Sequence, residues 1–181
     1  MSWSLGQPSA PGSPVVSTAD AKAHLRVVGS ADDDYIATLV LAATYYVQQY
    51  TGRLVYSQTI TEYADAFPSV AEMPLHCYPI TSLVLKYYDS TDTLTTLSAS
   101  EYWAHTTKKP CTVETKSAWP STENRAAAVR VEITGGDSTT LADIKHAIKI
   151  IVGHWYEQPD ETSINVPAAA KALLLQHRLF R

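Results

Sequence analysis

The sequence predicts an α+β fold: a small helical bundle built from both ends of the chain, with an antiparallel β-rich segment inserted between them. Three observations carry this reading. Apolar residues recur at steps of three and four over residues 36–50, and again over 141–155. Between these stretches the chain is rich in β-branched and aromatic residues, and prolines 68, 74, 79, 110 and 120 break it into short runs. The chain has 181 residues, 45% of them hydrophobic; one of that length buries roughly 70% of its unfolded surface, enough for a core without covalent staples. The expected organisation is a flexible arm over 1–16 and a single domain over 17–181, with helices in 17–52 and 140–181 and a β-rich insert over 53–139.

Taken in order, the opening segment MSWSLGQPSAPGSPVV holds three prolines and two glycines among serines. Local burial cannot offset the ordering entropy of such a stretch. Trp3 is its one large anchor and a candidate contact with a neighbouring subunit; plain disorder is the simpler expectation. Ser17 with Asp20 then reads as S-x-x-D, a relative of the capping box, and starts a helix running to about Val27.

Ser30 with Asp33 repeats that signal and raises a question about the run Asp32-Asp33-Asp34. A calcium loop places acidic residues on alternate positions with a glycine and a later glutamate, and this stretch does neither. Carboxylates in a first helical turn meet unpaired N–H groups and the positive end of the dipole, so the run is read as a helix start. That helix continues to about Thr51 on the stripe Ile36, Val40, Ala43, Val47 and Tyr50, and Gly52 suits a left-handed C-terminal cap. Leu41 and Tyr45 lie off the stripe, as ordinary surface or as a subunit contact.

From Arg53 to about Ile133 the runs RLVYSQTITEY, SLVLKYY and AVRVEIT read as strands. In the last, Val129, Val131 and Ile133 alternate with Arg130, Glu132 and Thr134, one dry face and one wet. Helical spacing returns with Leu141, Ile144, Ile148, Ile151 and Trp155, over roughly 140–157. Asn165 is placed to cap a final helix reaching the C-terminus, with Pro167 in its first turn. Leu173, Leu174 and Leu175 point about 100° apart, so that helix has apolar surface beyond what one core covers.

The chemistry of catalysis is hard to find. GxSxG, HExxH, GxxxxGK[ST] and GxGxxG are all absent from the sequence. Gly135-Gly136 lacks the lysine that closes a phosphate loop and reads as a turn. His76, Cys77, His105 and Cys111 are the candidate soft-ligand group, but their spacing fits no zinc pattern. No enzyme activity, cofactor or metal is therefore expected. The formal net charge of −4 gives no reason to expect tight nucleic-acid binding. Two cysteines suit a reducing compartment, and no apolar run approaches the roughly 20 residues of a membrane span. No secretory signal is visible, so synthesis in a cytoplasm is expected.

The order of features carries a resemblance. AKAHLRV is followed by DDDYIATLVLAATYYVQQYTGR, then YPITSLVLKYYD, WP before AVRVEIT, IKHAIKIIVGHWYE, and VPAAAKALLLQHR. Together, over about residues 18–178, this resembles the head–tail connector (adaptor) proteins of tailed bacteriophages. The resemblance implies a structural virion protein, made in the host bacterial cytoplasm and placed at the capsid–tail junction. It implies a ring of about twelve subunits with cyclic symmetry, between the portal and a stopper or tail protein, with double-stranded DNA passing through the lumen without specific binding. In such proteins the terminal helix tends to engage the portal, which marks Leu174, Arg178, Leu179, Phe180 and Arg181 as portal-binding residues. Trp3, Leu41 and Tyr45 are the candidate subunit interface. Two alternatives remain at this point: a tail-completion or stopper protein of the same neck, and a small metal-dependent hydrolase. A gene transfer agent, which reuses such parts, is a further possible source.

Overall fold

The computed structural model describes residues 3–6, 14–136, 142–159 and 165–179, with Trp3 and Leu5 described through their backbone. The chain divides into two compact units, one made of residues 12–56 and 137–181, the other of 1–11 and 57–136.

In the first unit, Ser17 opens helix α1 (Thr18–Leu25) as its sequence predicts: its hydroxyl accepts from the Asp20 N–H at 3.0 Å and donates to the Asp20 carboxylate at 2.8 Å. Arg26 ends the helix in the left-handed conformation, at φ 60°. Helix α2 (Asp33–Thr51) buries Ile36, Val40, Ala43 and Val47 of the predicted stripe, with Tyr50 only partly buried against the core, and ends on Gly52 at φ 69°.

The start of α2 departs from expectation. Ser30 does not cap it; the N-cap is Asp32, which makes no side-chain capping bond. The Asp32 carboxylate instead accepts from the Tyr156 hydroxyl at 2.7 Å, and Asp33 pairs with Lys22 at 2.5 Å. A carboxylate that finds a strong donor elsewhere has no reason to turn back on its own backbone. Both remain near the positive end of the helix dipole.

Helix α3 (Ala142–Glu157) buries Ile144, Ala147, Ile148, Ile151 and Val152, and packs against both α2 and the last helix, α4 (Ala168–Leu175). Val16, Ala21, Val55, Tyr56, Val166, Ala170 and Leu174 complete this core. Leu141, expected on the α3 stripe, lies outside the described residues.

Two further corrections fall on α4. Its N-cap is Pro167, not Asn165, whose carbonyl accepts from the Trp155 indole N–H at 3.1 Å. The helix also stops at Leu175 instead of reaching the C-terminus. Beyond it the Leu179 N–H donates to the Thr51 carbonyl at 2.9 Å, satisfying one of the carbonyls that the end of α2 leaves open. Arg178 and Leu179 therefore follow the helix and do not form its last turn.

The second unit is antiparallel throughout. A five-stranded sheet has the order β1-β2-β8-β4-β5, built from β1 (Trp3–Leu5), β2 (Gln58–Ala64), β4 (Ile80–Tyr88), β5 (Leu94–Thr96) and β8 (Val129–Gly135). A three-stranded sheet has the order β3-β7-β6, from β3 (Glu72–Pro74), β6 (Tyr102–His105) and β7 (Thr112–Thr115). The dry and wet faces predicted for β8 appear as predicted: Val129, Val131 and Ile133 are buried, while Arg130, Glu132 and Thr134 are not. They sit in register between Ala64, Glu62 and Ile60 of β2 and Tyr87, Leu85 and Leu83 of β4.

Within the stretch read as a flexible arm, β1 pairs with β2, Ser4 opposite Tyr63. Pairing satisfies part of a row of backbone groups that β2 would otherwise present at the sheet edge. Gly6 extends it, donating to the Thr61 carbonyl at 2.7 Å. A Cβ there would lie 3.0 Å from that same oxygen, so the close approach favours glycine.

Candidate interaction surfaces

The candidate histidines of the β-rich unit are paired with carboxylates. Glu62, on the inward face of β2, is fully buried. It accepts from the His76 backbone N–H at 2.8 Å and lies 3.1 Å from His76 Nδ1. The hydrogen bond to Glu62 raises the His76 pKa above its usual range. Burial, with the negative charge of Glu62 nearby, pushes the Cys77 thiol up strongly, and burial pushes Cys111 up as well. Thiols held protonated in this way are poor nucleophiles. His105 pairs with Glu114 at 3.0 Å. The candidate soft-ligand group of the sequence is two His–carboxylate pairs and two free, buried cysteines. Among the described residues no group of three or more histidine, cysteine, aspartate or glutamate side chains is placed to hold a metal ion.

The outward surface has a different character. On α2, Leu41 is 49% exposed and Tyr45 36%, and both turn away from the stripe that packs into the core. Tyr35, 42% exposed on the same helix, lies on this outer face too, as its seven- and ten-residue spacing from Ala42 and Tyr45 places it. No charged residue occurs from Tyr35 to Gly52, so the outer face of α2 is uncharged for four turns.

At the C-terminal end, Leu174 is fully buried in the helical core while its neighbour Leu175 is 56% exposed. The Leu174 side chain thus helps to hold α4 in place, and Leu175 is the one that faces out. Gln176 donates to Asp143 at 2.7 Å, and the Arg178 guanidinium lies 5.0 Å from the centre of the Tyr50 ring. Leu179 is partly buried. Phe180, Arg181 and the Trp3 side chain lie outside the described residues. In the β-rich unit, Trp103 on β6 is a large exposed ring with the Lys116 ammonium 5.5 Å from its centre.

His76 and His105 are paired with carboxylates, and the outer face of α2 is uncharged and partly apolar, so what this surface offers is contact, the character of a structural protein. The family model for head completion proteins matches residues 15–178, and the chain belongs to that family. The fold is shared with three chains of gene transfer agent particles. One, from the virion of a native particle, is 19% identical with a TM-score of 0.80. A second, from the neck of an empty particle computed with C6 symmetry, is 20% identical with a TM-score of 0.81, and a third, from the neck of a native particle computed with C12 symmetry, is 18% identical with a TM-score of 0.77. Each match covers 98% of this chain and 96% of the other. No curated protein matches the chain.

Proposed function

We propose that the protein is a structural component of the neck of a phage-like particle, an adaptor that forms a ring between the portal and the stopper or tail and continues the DNA channel. The observation that carries this reading is the head completion family match over residues 15–178. The shared fold with neck chains solved under sixfold and twelvefold symmetry supports a ring, and its place at the capsid–tail junction. The role is one of assembly, not catalysis, and the pairing of the inner histidines and carboxylates agrees with it. Duplex DNA passes the ring without being gripped, since 14 lysines and arginines against 18 acidic residues offer little of the phosphate neutralisation that makes binding tight.

Within this reading Leu41 and Tyr45 on α2 contribute to the subunit interface, and Trp3 is a further candidate. The chain end from Arg178 to Arg181 engages the portal, with Leu179 and Phe180 as apolar contacts and the two arginines facing acidic groups; Leu174 supports it from within the core. Two measurements test this. Labelled protein in purified particles is expected at the capsid–tail junction by electron microscopy, and label elsewhere refutes the adaptor reading. A chain lacking residues 177–181 is expected to keep its far-ultraviolet circular dichroism but to leave capsids without tails. Normal infectious or transducing particles from that truncation refute the portal contact.

A further inference from the structure

The helical unit turns two separate apolar faces outward. The first belongs to α2, where Tyr35, Leu41 and Tyr45 are exposed beside Thr38, Ala42 and Gln49. Leu41 and Tyr45 stand one turn apart, a ridge with a groove between its members. The second belongs to α4, where Leu175 is exposed with Ala168 and Ala172 on the turns before it. Each face lies on the side of its helix away from the core that α2, α3 and α4 share, so the two are distinct patches.

We propose that the α2 face of one copy packs against the α4 face of the next copy around the ring, with Leu175 seated between Leu41 and Tyr45. The contact rests on the ring reading above and names its two sides. A ring closed by rotation needs two unlike patches on every subunit that fit each other, and this unit carries two of unlike shape. One is long and edged with bulky side chains; the other is short, with Leu175 as its one bulky apolar side chain beside Ala168, Ala172 and the long, flexible Lys171. The charges complement as well. Asp34 is exposed at the start of the α2 face, and Lys171 is exposed one turn before Leu175, on the same α4 face. The opposite charge of Asp34 offers Lys171 a partner, so that packing the two faces together does not strand it unpaired.

The test uses two single-cysteine additions at exposed positions, Leu41→Cys and Ala172→Cys, in proteins of different tag length. The native Cys77 and Cys111 are buried and stay out of the reaction. Particles assembled from a mixture of the two variants are oxidised mildly and run on a non-reducing gel. The expected product is a dimer joining one long-tagged and one short-tagged chain, seen only in the mixture and lost when Leu175→Asp is added to the Ala172→Cys chain. A dimer of Leu41→Cys with itself overturns the proposal, as does cross-linking of Leu41→Cys to a different particle protein. So does the absence of any dimer in necks where microscopy shows a closed ring of this chain. Necks without such a ring overturn the ring reading, and this contact with it.

Discussion

Leu174 and Leu175 are neighbours of identical chemistry in one helix, and the structure places them in opposite environments. Replacing either by alanine changes helix propensity by the same small amount, so the difference between the two variants isolates burial. Leu174 is fully buried in the helical core, and removing a leucine side chain from such a site costs about 2–5 kcal/mol, the spread reflecting how far the surroundings collapse into the space. Leu175, more than half exposed, loses little on truncation, within about 0.5 kcal/mol either way. For a chain of this size each kcal/mol moves the thermal midpoint by about 2–4 °C, so Leu174→Ala should melt about 4–20 °C lower and Leu175→Ala close to the parent. Urea titration followed by far-ultraviolet circular dichroism measures both, with an unchanged m-value establishing that stability and not compactness has moved. If the proposed α2–α4 contact holds, the Leu41→Cys/Ala172→Cys cross-link should rank them the other way at temperatures where both are folded, with Leu175→Ala the defective one. Equal loss of stability in the two variants, or a larger loss at Leu175, would refute the burial assignment of α4.

Two further outcomes follow from the local chemistry. The folded-state pKa of His76 is raised above its ordinary value of 6.5, chiefly by its hydrogen bond to Glu62, so the stabilisation from that bond is fully present below about pH 6.5 and fades as pH rises through the folded-state value; His76→Gln should flatten the stability profile in that window, and an unchanged profile would count against the pair. Ser17→Ala removes the capping bond to Asp20 and should lower stability by about 0.5–2 kcal/mol, read from the urea midpoint, whereas Ser17→Thr should retain most of it.

What was legible in the sequence was local. The stripe from Ile36 to Val47, the glycine that ends α2, the serine that starts α1 and the alternation along β8 each follow from a period or a cap that a few neighbouring residues define. What escaped depends on partners far along the chain. Asp32 meets Tyr156 across 124 positions, and no local pattern tells that carboxylate from a cap. The early end of α4 has the same origin, since a continuous apolar pattern gives no stop signal and the carbonyl that draws Leu179 back belongs to Thr51. Glu62 is the instructive miss. Its place between Ile60 and Ala64 put it on the dry face of β2 by simple alternation, which was enough to mark a buried carboxylate in need of a partner.

The outward faces bear on how a ring of such subunits forms. Burying the exposed portions of Leu41, Tyr45 and Leu175 yields at most about 1.5–3 kcal/mol for each side chain, while association costs about 4–15 kcal/mol in lost translational and rotational freedom. A single α2–α4 contact is therefore close to break-even, and two free copies should separate readily. The balance changes for the copy that completes a ring, because it meets a neighbour on both sides while losing its freedom once. It changes further when each copy is also held at its chain end by a common partner, since every later contact is then made at high effective concentration. On the proposed reading, the same two faces would leave the protein monomeric in dilute solution and close a ring on a template. On that reading, an interface strong enough to assemble alone would form rings away from the particle they are meant for.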